Sequence, residues 1–268
     1  MMKYFKWHEA LIPYEQAVSE LITKFNGISE EYRRKNSYSP IERVEGRVKD
    51  VASIFDKAQR KGIPIDEVFD RMEDIAGVRV ITRFVADIQI VLEQLRKRAD
   101  HDLDIKVERD YIKDRKPSGY QSYHLLCKYT VMTVDAPVTI WVEIQIRTLA
   151  MNFWAITEHL LQYKYSGDIP VNVRERLLKS VEAAYNLDVE MSTIRDEITE
   201  AQKVEHIKRD LVDRILKKIQ NLYQVGKIDE ANELNKQFFD LYQDCGVDEL
   251  IRFDIKLTTI AHINKTGY

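Results

Sequence analysis

Apolar residues in the first part of the chain recur with a helical period. Between residue 8 and about residue 35, Leu11, Val18 and Leu21 fall on one face at the spacing of an α-helix. Residues 36–40 interrupt this pattern. The pattern therefore predicts one long amphipathic helix that ends before a break.

A second helix is predicted directly after this break. Ser39, Pro40 and Glu42 have the residue types preferred at the N-cap, the first and the third position of a helix. The helix is expected to run to about Lys61, where the segment 62–64 ends it with a glycine and a proline.

The middle of the chain changes to the shorter period of β-strands. Short β-branched runs and alternating apolar positions replace the helical spacing. Asp135–Pro137 is a plausible hairpin connection between the last two extended segments. In order, we expect a short helix at 66–71, a strand at 77–84, a helix at 86–98, and strands at 103–111, 121–134 and 137–147.

The rest of the chain returns to helical patterns. Helices are expected from residue 148 to residue 165 and from residue 171 to about residue 203. Strands in the centre with helices on either side predict an α+β domain with a mostly antiparallel or mixed sheet. Residues 204–268 form a predicted helical appendage of unknown role, with helices at 206–224 and 228–244 and a less regular end.

Composition excludes several classes of protein. The 268 residues are 44% hydrophobic and carry a net charge of −3, which argues for a packed core and gives no global attraction to nucleic acid. The two cysteines, Cys127 and Cys245, have no other metal-ligating residues near them in the sequence, so we expect both to be reduced thiols. The start of the chain lacks a signal peptide pattern, and no apolar run is long enough to span a membrane, so we expect a cytoplasmic protein.

Cations are spaced along one face of the second predicted helix. Lys49, Ser53, Lys57 and Arg60 fall on successive turns of a helix at 47–61. Such a face would suit a polyphosphate, which needs several N–H and O–H donors. Taken alone, an ordinary solvated helix face is the better explanation.

A carboxylate and an arginine flank the start of the first predicted strand. Asp74 precedes this strand and Arg79 lies within it. A carboxylate there can hold Mg²⁺ and an arginine can clamp phosphate. The alternative, favoured without further information, is a capping aspartate and a solvated arginine.

The strand at 137–147 has one apolar and one polar face. Ile140, Val142, Ile144 and Ile146 alternate with Trp141, Glu143, Gln145 and Arg147. The polar row would suit the floor of an active site. Half-solvated antiparallel strands often show the same alternation.

A loop rich in polar residues precedes the strand at 121–134. In it, Tyr120 could stack on a purine, and Lys116 or His124 could reach phosphate. An ordinary loop with a packed aromatic ring and a structural histidine is the alternative.

These four segments together resemble the synthetase domain of the RelA/SpoT family, most closely its small alarmone synthetases of the RelQ type. The resemblance covers about residues 8–203 and implies a nucleotidyltransferase-like fold for the α+β domain. The matching segments read SPIERVEGRVKDVASIFDKAQRK, DIAGVRV, RDYIKDRKPSGYQSYH and EIQIRTLAMNFWAITEHLLQYKYSG.

The resemblance implies a role for each matching residue. Glu143, Asp74 and Arg79 would be catalytic, and Asp74 and Glu143 would hold Mg²⁺. The implied ATP-binding residues are Arg47, Lys49, Ser53, Lys57, Arg60 and Arg79. The implied residues for the GTP acceptor are Arg109, Lys116, Ser118, Tyr120, His124, Gln145 and Asn152.

The implied reaction transfers the β,γ-pyrophosphate of ATP to the 3′-hydroxyl of GTP or GDP, giving (p)ppGpp and AMP, and we expect no hydrolase activity. A homotetramer is also implied, and a single-stranded RNA regulator fits the type. The segment Glu42–Glu45 before Gly46 carries a charge where the alarmone-binding cleft of the type would have an aromatic residue, and Asn26 stands in place of an expected lysine, which puts activation by product in doubt. Two alternatives stay open: the same transfer to the 3′ end of tRNA, and a non-catalytic regulator that binds nucleotide or RNA.

Overall fold

The computed structural model describes residues 7–99, 103–164, 170–242 and 246–266. Eight helices and five strands lie within these ranges. The helices are α1 (Trp7–Arg34), α2 (Val51–Lys61), α3 (Val68–Arg71), α4 (Val85–Arg96), α5 (Leu149–Lys164), α6 (Val171–Gln224), α7 (Ile228–Tyr242) and α8 (Val247–Thr266), and a 3₁₀ turn spans Ile65–Glu67. The strands are β1 (Arg43–Val48), β2 (Ala76–Thr82), β3 (Asp104–Asp110), β4 (Tyr123–Met132) and β5 (Pro137–Thr148).

The five strands form one mixed sheet in the order β1-β2-β5-β4-β3. β2 and β5 are parallel, and the other three neighbouring pairs are antiparallel. The parallel pair is joined by a long crossover, as parallel strands require. This arrangement confirms the predicted α+β class and mixed sheet.

One face of the sheet packs on helices and carries the core. Alternating residues of β5, from Ile140 to Ile146, are 0–4% exposed. The helix α1 lies against this face because Gly46 leaves room for it: a Cβ at Gly46 would lie 2.5 Å from Val18 Cγ1 and 2.9 Å from Ile22 Cδ1. The other face of the central strands is therefore left for polar side chains.

The predicted helix start at Ser39 is wrong. Residues 43–48 form β1, which pairs with β2, and the helix begins only at Val51. Ser39 Oγ instead accepts from the backbone N–H of Ile41, two residues on, in a local turn. The true N-cap is Asp50, whose carboxylate accepts from Ser53 N at 2.9 Å.

The apolar side chains of α2 are not all buried. Ile54 and Ala58 are its buried residues, whereas Phe55 is 43% exposed and lies against Trp7, with ring centroids 5.0 Å apart. The cationic face was predicted on a helix that includes residues 47–50. Because those residues are extended or in the cap, Arg47 and Lys49 do not belong to the helix.

The chain divides into two compact units, residues 1–192 and 193–268. The boundary predicted from sequence lies at residue 203, inside α6, which runs without a break through Gln224. The second unit has its own core, built on Ile215, Leu250 and neighbouring apolar residues. Its last segment is the helix α8, so the expectation of a less regular end is wrong.

Some expectations concern residues outside the described ranges. Cys245 and the ends of the helices predicted to reach residues 165 and 244 are among them. Cys127 is a buried free cysteine. No helix in the described ranges combines the length and apolar character needed to cross a bilayer.

Candidate functional site

A polar cleft lies on the sheet face opposite the core, where β1, β2 and β5 run side by side. The register aligns Arg47 with Gly77, and Gly77 with Glu143. The cleft has a volume of about 220 Å³. Its lining residues are Glu45, Gly46, Arg47, Lys49, Asp74, Gly77, Val78, Arg79, Glu143 and Gln145. Six of these were predicted as site residues: Arg47, Lys49, Asp74, Arg79, Glu143 and Gln145.

Two lysines converge on Asp74 at the entrance to β2. Lys49 Nζ donates to Asp74 Oδ2 at 2.8 Å, and Lys57 Nζ donates to the same oxygen. Burial alone would raise the pKa of this carboxyl, but the hydrogen bonds and charges of the two lysines outweigh it and hold the pKa below its usual value. The second oxygen, Oδ1, is buried and has no hydrogen-bond partner among the described residues.

Arg79 faces a carboxylate that the sequence reasoning did not place in the cleft. Its Nη1 lies 3.5 Å from Glu45 Oε2, because Glu45 on β1 is directly opposite Arg79 on β2. Arg79 Nε is buried and lacks a partner in the described part of the chain. Glu45 falls in a segment that was predicted to be helical, and the pairing of β1 with β2 turns it toward the cleft.

Glu143 lies on the floor of the cleft and accepts two hydrogen bonds. His124 Nδ1 lies 2.8 Å from its Oε1, and Gln145 Nε2 donates to its Oε2 at 2.7 Å. Burial alone would raise the pKa of Glu143, but the hydrogen bonds from His124 and Gln145 outweigh burial and keep the pKa below its usual value. The carboxylate is therefore ionised at neutral pH.

Some of the residues predicted to bind the acceptor cluster around the ring of Tyr120. The Tyr120 hydroxyl lies 2.9 Å from His124 Nε2 and accepts from Arg147 Nη2 at 2.8 Å. Lys116 Nζ lies over two rings, 4.0 Å from the centroid of Tyr111 and 4.8 Å from that of Tyr120. Gly119, at φ +86°, closes the turn in a conformation that favours glycine.

The other predicted residues do not line the cleft. Ser53 donates to the N-cap Asp50, and Arg60 is exposed and donates to the Asp56 carbonyl. Arg109 lies next to His124 in the sheet and pairs with Glu73 at 3.6 Å. Ser118 Oγ accepts from Tyr120 N at 3.4 Å, and Asn152 is buried with its Oδ1 unpartnered among the described residues.

Two residues of this region, Glu45 and Tyr111, were given no catalytic or substrate-binding role from the sequence. The alternation of β5 had placed Arg147 in the same polar row as Glu143 and Gln145, without a specific role. Glu45 could not be placed from the sequence, because its position depends on a strand that was expected to be a helix.

The donor set of the cleft fits a hard divalent cation. Asp74 and Glu143 both line it, and the free Oδ1 of Asp74 supplies an oxygen ligand without first breaking a hydrogen bond. Mg²⁺ prefers one or two carboxylates and takes its other ligands from water and phosphate. Within the described ranges no group of three or more His, Cys, Asp or Glu side chains is placed to hold a metal by itself.

A larger apolar groove between α5 and α6 does not carry this chemistry. It has a volume of about 810 Å³ and is lined mainly by apolar side chains such as Leu149, Phe153 and Leu187. Asp188 is buried there and accepts from the Thr148 hydroxyl, and burial raises the pKa of Asp188 to about 6. The paired carboxylates and converging cations are in the polar cleft instead.

The sheet of this α+β domain presents two carboxylates and several cations in one cleft. This combination is typical of one class of protein, the transferases that act on polyphosphates. Comparison with known proteins narrows this class. Residues 46–168 match a family model described as the region found in RelA/SpoT proteins. The chain is 54% identical over 197 residues to the GTP pyrophosphokinase YjbM of Bacillus subtilis, covering 74% of this chain and 92% of that protein. The chain therefore belongs to the RelA/SpoT family.

Solved structures agree with this assignment. The small alarmone synthetase 1 of Bacillus subtilis, bound to its product pppGpp, matches with a TM-score of 0.68 and 53% identity, over 72% of this chain and 98% of that one. A GTP pyrophosphokinase family protein from Streptococcus pneumoniae matches with a TM-score of 0.70 and 50% identity, over 75% and 98%. The resemblance inferred from the four segments is confirmed.

Proposed function

We propose that this chain is a GTP pyrophosphokinase that transfers the β,γ-pyrophosphate of ATP to the 3′-hydroxyl of GTP or GDP in the polar cleft. Its close relatives carry this name, and one related structure is bound to pppGpp. The observation that carries the proposal is the pair of carboxylates, Asp74 and Glu143, in a cleft toward which Lys49, Lys57 and Arg79 converge.

The donor side of the cleft suits the triphosphate of ATP. Arg47, Lys49 and Arg79 line it, and Lys57 reaches it through Asp74. Phosphate oxygens would attract Lys49 and Lys57 and so free Asp74. We assign Ser53 and Arg60 to the outer end of this site, on the exposed part of α2.

Asp74 and Glu143 would hold the metal ion, which we propose to be Mg²⁺. Enzymes of this class generally use a divalent metal, and the ion neutralises charge on the phosphoryl oxygens when bound. The orphaned Oδ1 of Asp74 supports this assignment.

The acceptor side would be formed around Tyr120. Its ring would stack on guanine, and Lys116 and Arg109 would contact the acceptor phosphates. His124 and Gln145 both hydrogen-bond Glu143, which supports a role in orienting that carboxylate beside the acceptor ribose. Ser118 would help to hold the loop, and the free Oδ1 of Asn152 would accept from the guanine edge.

The reaction needs few groups beyond these. The acceptor 3′-oxygen attacks the β-phosphorus of ATP, the bond from that phosphorus to the α-phosphate oxygen breaks, and AMP leaves. The 3′-hydroxyl proton passes to Glu143, a modest base held ionised by its hydrogen bonds. Cations already in place stabilise the charge that develops on the phosphoryl oxygens.

Assembly and location complete the proposal. By likeness to the family, we propose a homotetramer, a single-stranded RNA regulator and a cytoplasmic location. Residues 1–203 would be the synthetase domain, which is supported by relatives that match 72–75% of this chain along 91–98% of their own lengths.

One incubation tests the activity. Pure protein is mixed with Mg²⁺, ATP and either GTP, GDP or bulk tRNA, and the nucleotides are resolved by anion exchange. We expect AMP in equal amount to a guanosine penta- or tetraphosphate. AMP that forms only with tRNA would identify a tRNA-modifying enzyme, and absence of AMP with all three acceptors would contradict the proposal.

A further inference from the structure

Five side chains, one of them Glu143, form a closed ring of hydrogen bonds. Tyr120 Oη lies 2.9 Å from His124 Nε2, and His124 Nδ1 lies 2.8 Å from Glu143 Oε1. Gln145 Nε2 donates to Glu143 Oε2 at 2.7 Å. Arg147 closes the ring. Its Nη2 donates to Tyr120 Oη at 2.8 Å and also donates to Gln145 Oε1.

The guanidinium and the carboxylate at the two ends of this ring determine the directions of the hydrogen bonds that they make. A guanidinium can only donate, and an ionised carboxylate can only accept. From Arg147, one arm therefore runs through the Gln145 amide to Glu143. In the other arm, the Tyr120 hydroxyl accepts from Arg147, and His124 carries a proton on Nδ1 that it donates to the Glu143 carboxylate.

Arg147 is the source of both arms. It is 3% exposed, and its guanidinium forms no ion pair with a carboxylate in the described ranges. Its Nε is buried and unpartnered among the same residues. A buried cation is costly unless its donors are used, and a neutral residue would be cheaper at a purely structural position.

Arg147 also touches the face of the acceptor ring. Its guanidinium carbon lies 5.4 Å from the centroid of Tyr120, within cation–π range. The ring also lies beside Tyr111 and His124, and it packs against a small apolar cluster around Trp154. The hydrogen bonds to Arg147 and His124 fix the position of its hydroxyl.

We propose that Arg147 is a positioning residue that joins the acceptor-binding ring of Tyr120 to the reacting carboxylate of Glu143. This inference rests on the proposed function of the cleft. Through one arm Arg147 holds the ring on which guanine stacks, and through both arms it aims the two oxygens of Glu143. Acceptor binding and transfer depend on Arg147, whereas ATP binding does not.

The decisive experiment compares Arg147→Met and Arg147→Lys with the wild type. We expect Arg147→Met to raise the acceptor KM and to lower kcat, each by about tenfold or more, since a small misplacement of reacting groups has effects of this order. The Kd for a non-hydrolysable ATP analogue should stay within about twofold of the wild type. Arg147→Lys keeps a donor for one arm and should recover part of the loss.

A matched control separates this role from a general loss of packing. In Arg96→Met the same substitution removes another arginine that donates to a tyrosine hydroxyl, that of Tyr123 at 3.4 Å. Arg96 is on α4 and also binds Glu108, away from the cleft lining. Its nucleotide KM values and kcat should match the wild type.

A double mutant tests the proposed connection through Tyr120. Tyr120→Phe keeps the ring and removes the hydroxyl that Arg147 binds. If Arg147 acts through this hydroxyl, the two substitutions remove the same interaction. The acceptor KM of the double variant, Arg147→Met combined with Tyr120→Phe, should then equal, within about twofold, the KM of whichever single variant has the higher value. Multiplicative effects on KM, or an Arg147→Met variant with the wild-type KM and kcat, would overturn the proposal.

The outcomes also separate this proposal from the proposed function. If the thermal midpoint shows that Arg147→Met does not fold, the KM, kcat and Kd values of Arg147→Lys are compared with those of the wild type instead, and a wild-type KM and kcat in that variant would overturn the proposal. If the wild type makes no AMP, the proposed function fails, and the Kd for GDP of each variant still decides the role of Arg147. A wild type that does not bind GDP overturns both.

Discussion

Glu143 shows how single residues determine the chemistry of the cleft. Its carboxylate is buried, yet two hydrogen bonds from His124 and Gln145 stabilise its charge. Asp74 is kept ionised in a different way, by two lysines. Both carboxylates are therefore anions at neutral pH, and each has its own reason for remaining so.

Replacing Glu143 by glutamine should stop transfer and spare ATP binding. The amide has nearly the same shape but cannot take a proton or provide a second anionic ligand. We expect kcat for AMP formation to fall by about 10²- to 10⁴-fold, the range of general base effects. Titration calorimetry with an ATP analogue serves as the control, and turnover near the wild-type rate would contradict the assigned role.

Replacing Tyr120 by alanine should weaken acceptor binding. Stacking of a base on an aromatic ring contributes about 1–3 kcal/mol. The acceptor KM should therefore rise by roughly 5- to 150-fold, while the KM for ATP changes little. If the acceptor KM is unchanged, guanine binds elsewhere.

Asp188 should make the stability of the chain depend on pH. Its pKa is raised from 3.8 to about 6, so between these values the folded protein binds more protons than the unfolded chain. The stability due to this group is complete below the unfolded pKa and is lost as the pH rises through about 6. Asp188→Asn should remove this loss and stabilise the protein at pH 8 by no more than about 3 kcal/mol.

Urea unfolding at pH 5 and pH 8 measures this effect. The difference in unfolding free energy between the two pH values should be smaller in Asp188→Asn than in the wild type. An identical difference in both proteins would mean that Asp188 titrates normally.

At the scale of elements, the pairing of β1 with β2 decides which residues reach the cleft. It brings Glu45 opposite Arg79 and Arg47 opposite Gly77. The pairing also moves the start of α2 to Asp50, so that Lys57 on the helix and Lys49 before it both reach Asp74. A continuous helix over these residues would not have opposed Glu45 to Arg79.

The contact between α1 and β1 depends on the absence of a side chain at Gly46. Gly46→Ala would place a Cβ 2.5 Å from Val18 Cγ1, and valine has little rotamer freedom to move aside. We expect a loss of about 1–3 kcal/mol in unfolding free energy, the usual cost of overpacking, measured by urea denaturation.

Gly27→Ala provides the matched control. Gly27 lies in α1, and an added Cβ would have no neighbour within 4 Å. This substitution should stabilise the helix by about 0.5–1 kcal/mol. If Gly46→Ala is as well tolerated as Gly27→Ala, the close packing of α1 on β1 does not limit stability.

At the scale of the whole molecule, the residues assigned to the site and the second apolar core belong to different parts of the chain. All residues assigned to the site lie between Glu45 and Asn152, in the first unit. The second unit, residues 193–268, has a separate apolar core. Relatives match about three quarters of this chain and nearly all of their own length.

Leu250→Ala should therefore destabilise the second unit and leave catalysis unchanged. Leu250 is fully buried, and its truncation costs about 2–5 kcal/mol. We expect faster amide hydrogen exchange in α7 and α8, unchanged exchange in β2 and β5, and wild-type KM values. Leu216→Ala, at a position that is 40% exposed, should change exchange much less. Loss of activity in Leu250→Ala would show that the second unit supports the site.

The sequence by itself determined the elements whose signals are local. Alternation in β5 identified both the buried isoleucines and the polar row that contains Glu143, because successive side chains of a strand point to opposite faces. The helical period identified α1 and α4 to within a few residues. The order and spacing of four segments identified the family, and with it the activity.

Only the tertiary structure decided the rest. Ser39, Pro40 and Glu42 carry a local helix signal, but β1 forms because its backbone groups pair with β2, a contact between residues distant in the chain. The same long-range pairing turned Glu45 toward Arg79. The ring from Arg147 to Glu143 likewise joins a loop and two strands, and such a contact exists only once the sheet has set its register.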